Sequence, residues 1–243
     1  GYLADIVVVD NIRNFDIQQV YKRGKLVFDG KAVIDFPTPT IESGLVEKCH
    51  NTFHLDKVTP ESFDIKGDLG LIGLVSGELL TKNLGTANHI DVEKDILKIA
   101  CVERHKNTNH IGVGYVKGYS LKSGAVATSI AHDSHNIITV GCSDSDIAIA
   151  VNAIKDNNGG IVVVENGEIK ALLELPIAGL MSEKPLKVVN DKLEKAKASA
   201  YSLGVSKNID PFMTLSFISL PVIPSLRITT KGVFDVDKWK IVE

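Results

Sequence analysis

The apolar residues of this chain come mostly in short runs separated by Gly, Pro, Asn and Asp, which is the spacing of strands and turns rather than of long helices. Asp5–Val9, Val20-Tyr21-Lys22 and Lys25–Phe28 read as three strands, with Arg23-Gly24 and Asp29-Gly30 as tight turns where glycine accepts a positive φ. Three such strands are too short a sheet to bury both faces. Pro37 and Pro39 make Asp35–Thr40 a linker, because each proline fixes φ and removes a donor. The pattern then changes. Thr59–Val75, broken by Gly67, Gly70 and Gly73, predicts bent strands, and Ile111–Tyr119 and Ala125–Ile130 predict two more. Asp91 is placed to cap a helix with Val92, Ile96, Ile99 and Ala100 on one face, ending near Glu103-Arg104-His105. Ser143 precedes Ile147, Ala150, Val151 and Ile154, an i, i+3, i+4, i+7 stripe stopped by Gly159-Gly160, and this is the clearest helix. A hairpin follows over Ile161–Val164 and Ile169–Leu175. Ser182 is the expected cap of a last long helix through Leu186, Val189, Leu193, Ala196 and Ala200, and Phe212–Leu220 fits either a strand or a buried helix. The prediction is a mixed α/β (α+β) chain: a small sheet over 1–40, then a domain over 41–243 with helices packed on a mixed sheet.

Composition narrows the function classes. A net charge of −3, with both signs dispersed, offers no basic face for nucleic acid. Three widely spaced cysteines without a Cys-x-x-Cys pair argue against a disulfide framework or a thiolate zinc site, and fit a reducing cytoplasm. No apolar run approaches the roughly 20 residues of a membrane-spanning helix. The chain opens directly into a strand pattern without Met, so the expectation is a piece cut from something longer.

The densest polar cluster is His132-Asp133-Ser134-His135-Asn136, set between two apolar strands. Imidazoles and a carboxylate there can bind metal, move protons or hydrogen-bond a purine edge. On a strand, His132 and His135 point to opposite faces, which weakens a shared metal site. The competing reading is a polar loop that stabilises its own turn. Glu103-Arg104-His105 combines an acid, a donor fork and an imidazole able to orient a ligand, although Arg and His also suit a helix C-terminus. His50, His54, His89 and His110 are scattered and read as surface or core histidines. Nucleophile elbows, a third glycine at dinucleotide spacing and phosphate loops are absent.

Five segments carry a resemblance: Val102–His105, Gly112–Gly118, Ser129–Ile138, Leu175–Ser182 and Phe212–Phe217. In order and spacing they resemble the C-terminal domain of bacterial and archaeal adenine deaminases, and residues 4–35 resemble the strands that complete a small β-sandwich in the amidohydrolase superfamily. The resemblance implies hydrolysis of adenine to hypoxanthine and ammonia, in adenine catabolism and purine salvage, by an enzyme using a divalent metal, manganese or iron ahead of zinc. It further implies that the metal ligands, including a His-x-His, belong to a catalytic barrel. No His-x-His occurs here, so the barrel is an expected partner, this piece is expected to be inactive alone, and none of its residues is expected to ligate metal. His132, Asp133, His135 and Asn136 are the expected catalytic contribution, with Glu103, Arg104 and His105 expected to bind substrate in a homo-oligomer. Two rivals stay open: a non-catalytic oligomerisation or scaffold domain, and a freestanding metallohydrolase using His132 and His135.

Overall fold

A computed structural model describes residues 1–34 and 40–242, so the expected linker over 35–40 lies outside the described residues except for Thr40. Two compact units are present, Gly1–Ser43 and Gly44–Glu243. In the first, β1 (Ile6–Val9), β2 (Ile17–Lys22) and β3 (Lys25–Phe28) form an antiparallel sheet in chain order. The Arg23-Gly24 turn has both residues at positive φ, 51° and 76°. Asn11 Oδ1 accepts the Arg13 and Asn14 amides and so folds the longer β1–β2 connection.

The second unit opens with α1 (Ser43–His50) and is built on eight strands: β4 (Leu69–Leu74), β5 (Thr81–Ala87), β6 (Leu97–Val102), β7 (Ile111–Lys117), β8 (Ala125–Thr128), β9 (Ile137–Gly141), β10 (Gly160–Glu165) and β11 (Glu168–Glu174). Their order is β11-β10-β8-β9-β6-β7-β4-β5, and only β4–β7 is a parallel pairing. One face carries α2 (Asp144–Asp156), whose Ile147, Ala150, Val151 and Ile154 pack with Ala100, Ala127, Ile137 and Val162. The other carries α3 (Leu186–Ser202), α4 (Pro211–Ile218) and the small sheet of β12 (Leu226–Thr229), β13 (Gly232–Asp235) and β14 (Lys240–Ile241). This is the mixed sheet with packed helices that the pattern predicts. No helix among the described residues is long and apolar enough to cross a membrane.

The α2 stripe forms as expected, with the Ser143 hydroxyl accepting the Asp146 amide. The helix expected from Asp91 does not form. A short 3-10 turn, Val92–Lys94, ends at Asp95 with φ 57°, and the chain then enters β6. All six residues of β6 are buried. Leu97, Ile99 and Cys101 face one core and Ala100 and Val102 the other, so a strand covered on both sides mimics helical spacing. Lys98, on the same strand, spends its charge on Asp144 at 2.6 Å and the Phe63 carbonyl at 2.9 Å. Ser182 does not cap α3, because Pro185 displaces the helix start to Leu186 and keeps the residue before it out of helical conformation. The Ser182 hydroxyl instead accepts the Lys184 amide. Phe212–Leu220 resolves into α4, capped by Asp210 with proline at its first turn. Thr59–Val75 holds a 3-10 turn, Pro60–Phe63, before β4 rather than strands throughout.

Gly112 and Gly114 lie on the β7 face that meets the small sheet. A Cβ at Gly112 would sit 1.8 Å from the Thr229 carbonyl oxygen, and one at Gly114 would sit 2.2 Å from Val233 Cγ2. Gly112 lets backbone lie directly on backbone, and Gly114 makes room for the Val233 side chain.

Candidate functional site

The polar cluster occupies the connection from β8 to β9, two of the central strands, and is fixed from three directions. The His132 amide donates to the Ser216 carbonyl on α4 at 2.8 Å, and the Ser219 hydroxyl donates to the His132 carbonyl at 3.3 Å. The His135 amide closes the turn onto the Ala131 carbonyl at 2.6 Å, with His135 itself at φ 50° in the left-handed region. The third support comes from the end of β6.

That support is Arg104, 2% exposed. Its Nε donates to the His135 carbonyl, its Nη1 to the Thr52 carbonyl at 3.0 Å and hydroxyl at 3.2 Å, and its Nη2 to the Ala178 carbonyl at 2.9 Å. The guanidinium also lies 4.2 Å over the Phe53 ring. Burial lowers its pKa to about 10, which still leaves it cationic at neutral pH. All three nitrogens are committed to the chain itself. Beside it, His105 Nε2 donates to the Ser134 carbonyl at 2.7 Å. The Glu103 carboxylate collects the amides of His105, Lys106 and Thr108 and the Thr108 hydroxyl. Burial opposes Glu103 ionisation, but these bonds outweigh it and hold the carboxyl below its ordinary range. The trio therefore sits at a strand end, so the helix-dipole rationale for Arg104 and His105 falls away, and its contacts brace the 132–136 loop.

The loop's side chains divide between two surroundings. The His132 ring stacks on Phe217, with centroids 4.8 Å apart, and lies 5.8 Å from the His135 ring. Burial first, then the neighbouring His132 and Arg104, lower the His135 pKa. His135 is therefore neutral at pH 7, and its Nδ1 is buried without a hydrogen-bond partner among the described residues. Asp133, Ser134 and Asn136 instead line a cleft of about 310 Å³, bounded also by Leu220–Val222, Ile228–Thr230 and Cys101. The Asp133 side chain is 87% exposed, whereas Asn136 is 8% exposed and its Oδ1 is buried without a partner among the described residues. Sequence reasoning did not find the opposite wall, Leu220–Val222 and Ile228–Thr230, since those residues have no distinctive chemistry and meet the loop only through tertiary packing.

Among the described residues no three His, Cys, Asp or Glu side chains converge on one point. The described residues thus do not fit a ligand set for the divalent metal that the resemblance implies. Cys49, Cys101 and Cys142 are free thiols, and burial raises the Cys142 pKa to about 11, so it offers no thiolate nucleophile at neutral pH.

Comparison with known proteins agrees with the resemblance. Residues 77–240 match the family model described as adenine deaminase C-terminal domain. The whole chain aligns with adenine deaminase 2 of Carboxydothermus hydrogenoformans at 41% identity, covering 44% of that protein. Adenine deaminases of Dehalococcoides mccartyi, 39% identical with 43% covered, and Thermosipho africanus, 42% identical with 43% covered, align over the whole chain as well. The chain thus spans less than half the length of the curated relatives it matches.

Proposed function

The chain belongs to the adenine deaminase family through its C-terminal domain, and from that premise we propose that it serves hydrolysis of adenine to hypoxanthine and ammonia. In this reading the 132–136 loop meets the purine in the whole enzyme, while residues 1–40 complete a small sandwich with a metal-bearing barrel in a cytoplasmic homo-oligomer. The divalent metal, manganese or iron ahead of zinc, is held by residues outside this chain.

One observation carries the proposal: a loop at the ends of central strands, anchored by Arg104 and His105, keeps two buried polar atoms, His135 Nδ1 and Asn136 Oδ1, without partners among the described residues. Leaving such atoms unpaired costs about 1–3 kcal/mol each, so an anchored loop that presents them is suited to a ligand that supplies the missing bonds. Within it, a neutral His135 is ready to take a proton from the attacking water or to relay one to the departing amine. His132, stacked on Phe217, and the exposed Asp133 extend the same polar edge.

The test is His135→Ala in the full-length enzyme, followed by steady-state turnover and by light scattering for assembly. Turnover falls about 100-fold, the low end for a lost proton-transfer group, while assembly is kept. Lost assembly with normal turnover per folded site would instead establish a scaffold role.

A further inference from the structure

Asn136 is the one buried side chain of the loop that lines the cleft, and it brings an acceptor, Oδ1, with no bond to the described residues. A carboxamide couples that acceptor to a donor, Nδ2, in one rigid plane. Adenine, the substrate proposed above, presents three matching edges. Two pair the exocyclic amino group with N1 or with N7; the third pairs acceptor N3 with the ring N–H at N9. The reaction replaces the amino group at C6, so a contact to either of the first two would be broken as the amine leaves. The third edge is identical in adenine and hypoxanthine, lies away from C6 and leaves that carbon free for water. The other cleft residues suit a flat ring, with Leu220, Pro221, Val222 and Ile228 apolar.

We propose that Asn136 is the specificity-determining residue for the free base: Oδ1 accepts the ring N9–H and Nδ2 donates to N3. The inference rests on the reading that the loop meets the purine. A substituent on N9, as in a nucleoside, removes the hydrogen and leaves Oδ1 buried and unpaired, a mismatch that sites built to bond a substrate N–H reject strongly. Because the contact is the same before and after deamination, it acts as uniform binding and its loss appears in KM.

The test uses the full-length enzyme with adenine as substrate and 9-methyladenine as competitor. Wild-type enzyme binds 9-methyladenine at least about 100-fold more weakly than adenine. Asn136→Ala raises the KM for adenine about 10- to 100-fold, changes kcat less than threefold, and reduces the discrimination against 9-methyladenine to below about tenfold. Wild-type enzyme that binds both compounds equally overturns the inference without any variant. A variant whose kcat falls while KM and discrimination are kept overturns it too, and moves Asn136 to the amino edge. His135→Ala separates the two levels: if it lowers turnover while Asn136→Ala leaves discrimination intact, the loop stays at the active site and only the Asn136 assignment fails. Silence in both variants overturns both.

Discussion

Arg104 and Arg227 are the two largest fully buried side chains of the main unit, and the fold begins by using them alike. Each spends its donors on main-chain carbonyls rather than on a carboxylate. Arg227 donates from Nε to Ile223 at 2.6 Å and from Nη2 to Leu79 at 2.6 Å and Pro224 at 3.0 Å. Burial lowers both pKa values to about 10. The difference is in what each one holds. Arg227 ties the start of the β12 segment, behind the apolar wall of the cleft, to the β4–β5 connection, whereas Arg104 ties the polar 132–136 loop to Thr52 and Ala178. A buried cation that collects carbonyls is thus a general fastener, and only the identity of the fastened segment decides whether its loss is read as instability or as lost function.

The comparison is most exposed to methionine at each position. Arg104→Met and Arg227→Met should each cost about 3 kcal/mol, the scale of bonds to a charged donor, measured by urea unfolding. Turnover per folded molecule of the full-length enzyme should fall at least about tenfold for Arg104→Met, from misplacement of the loop, and by clearly less for Arg227→Met, which supports only the apolar wall. Equal turnover in the two variants would erase the distinction.

A smaller effect concerns acid. Folding lowers the His135 pKa below 6.5, so the unfolded chain binds that proton more readily. The stability linked to His135 is complete above about pH 6.5 and declines as the pH falls from there toward the folded pKa. Glu103 is also lowered, from 4.5, so its contribution is present above about pH 4.5 and is lost as the pH falls through its folded value. His135→Gln should flatten the first decline and Glu103→Gln the second, read as unfolding midpoints across pH. An unchanged profile in His135→Gln would show that burial beside His132 and Arg104 does not hold its ring neutral. The smallest effect sets the baseline: Ser143→Ala removes the α2 cap, should cost about 1 kcal/mol, and should leave turnover alone, since that helix packs on the sheet face opposite α4.

How much of this was legible in the sequence depended on how local the cause was. The α2 cap and stripe, the β10–β11 hairpin and the first three strands are set by neighbouring residues and could be read directly. The β6 segment misled because burial on both faces removes the alternation that marks a strand. Strand β5 and the small β12–β14 sheet went unread although they pair with chain neighbours, because β5 is a mostly exposed edge strand with few apolar residues and the strands of the small sheet are only two to four residues long. At the site, the polar cluster between two apolar runs was visible, as was Glu103-Arg104-His105 as a separate second candidate. That Arg104 turns inward to carbonyls, and that Thr229 and Thr230 complete a cleft beside Asn136, depend on contacts between segments far apart in the chain.

The bare faces of Gly112 and Gly114 reach further than their size implies. At Gly112 nothing but hydrogen separates β7 from the Thr229–Gly232 turn, so an added methyl there must push that backbone away, while one at Gly114 must displace the Val233 side chain. Thr229, which Gly112 touches, is also part of the cleft rim. The width of that opening therefore has an adjusting screw one strand behind it, at a position that a survey confined to ligand-facing residues would pass over.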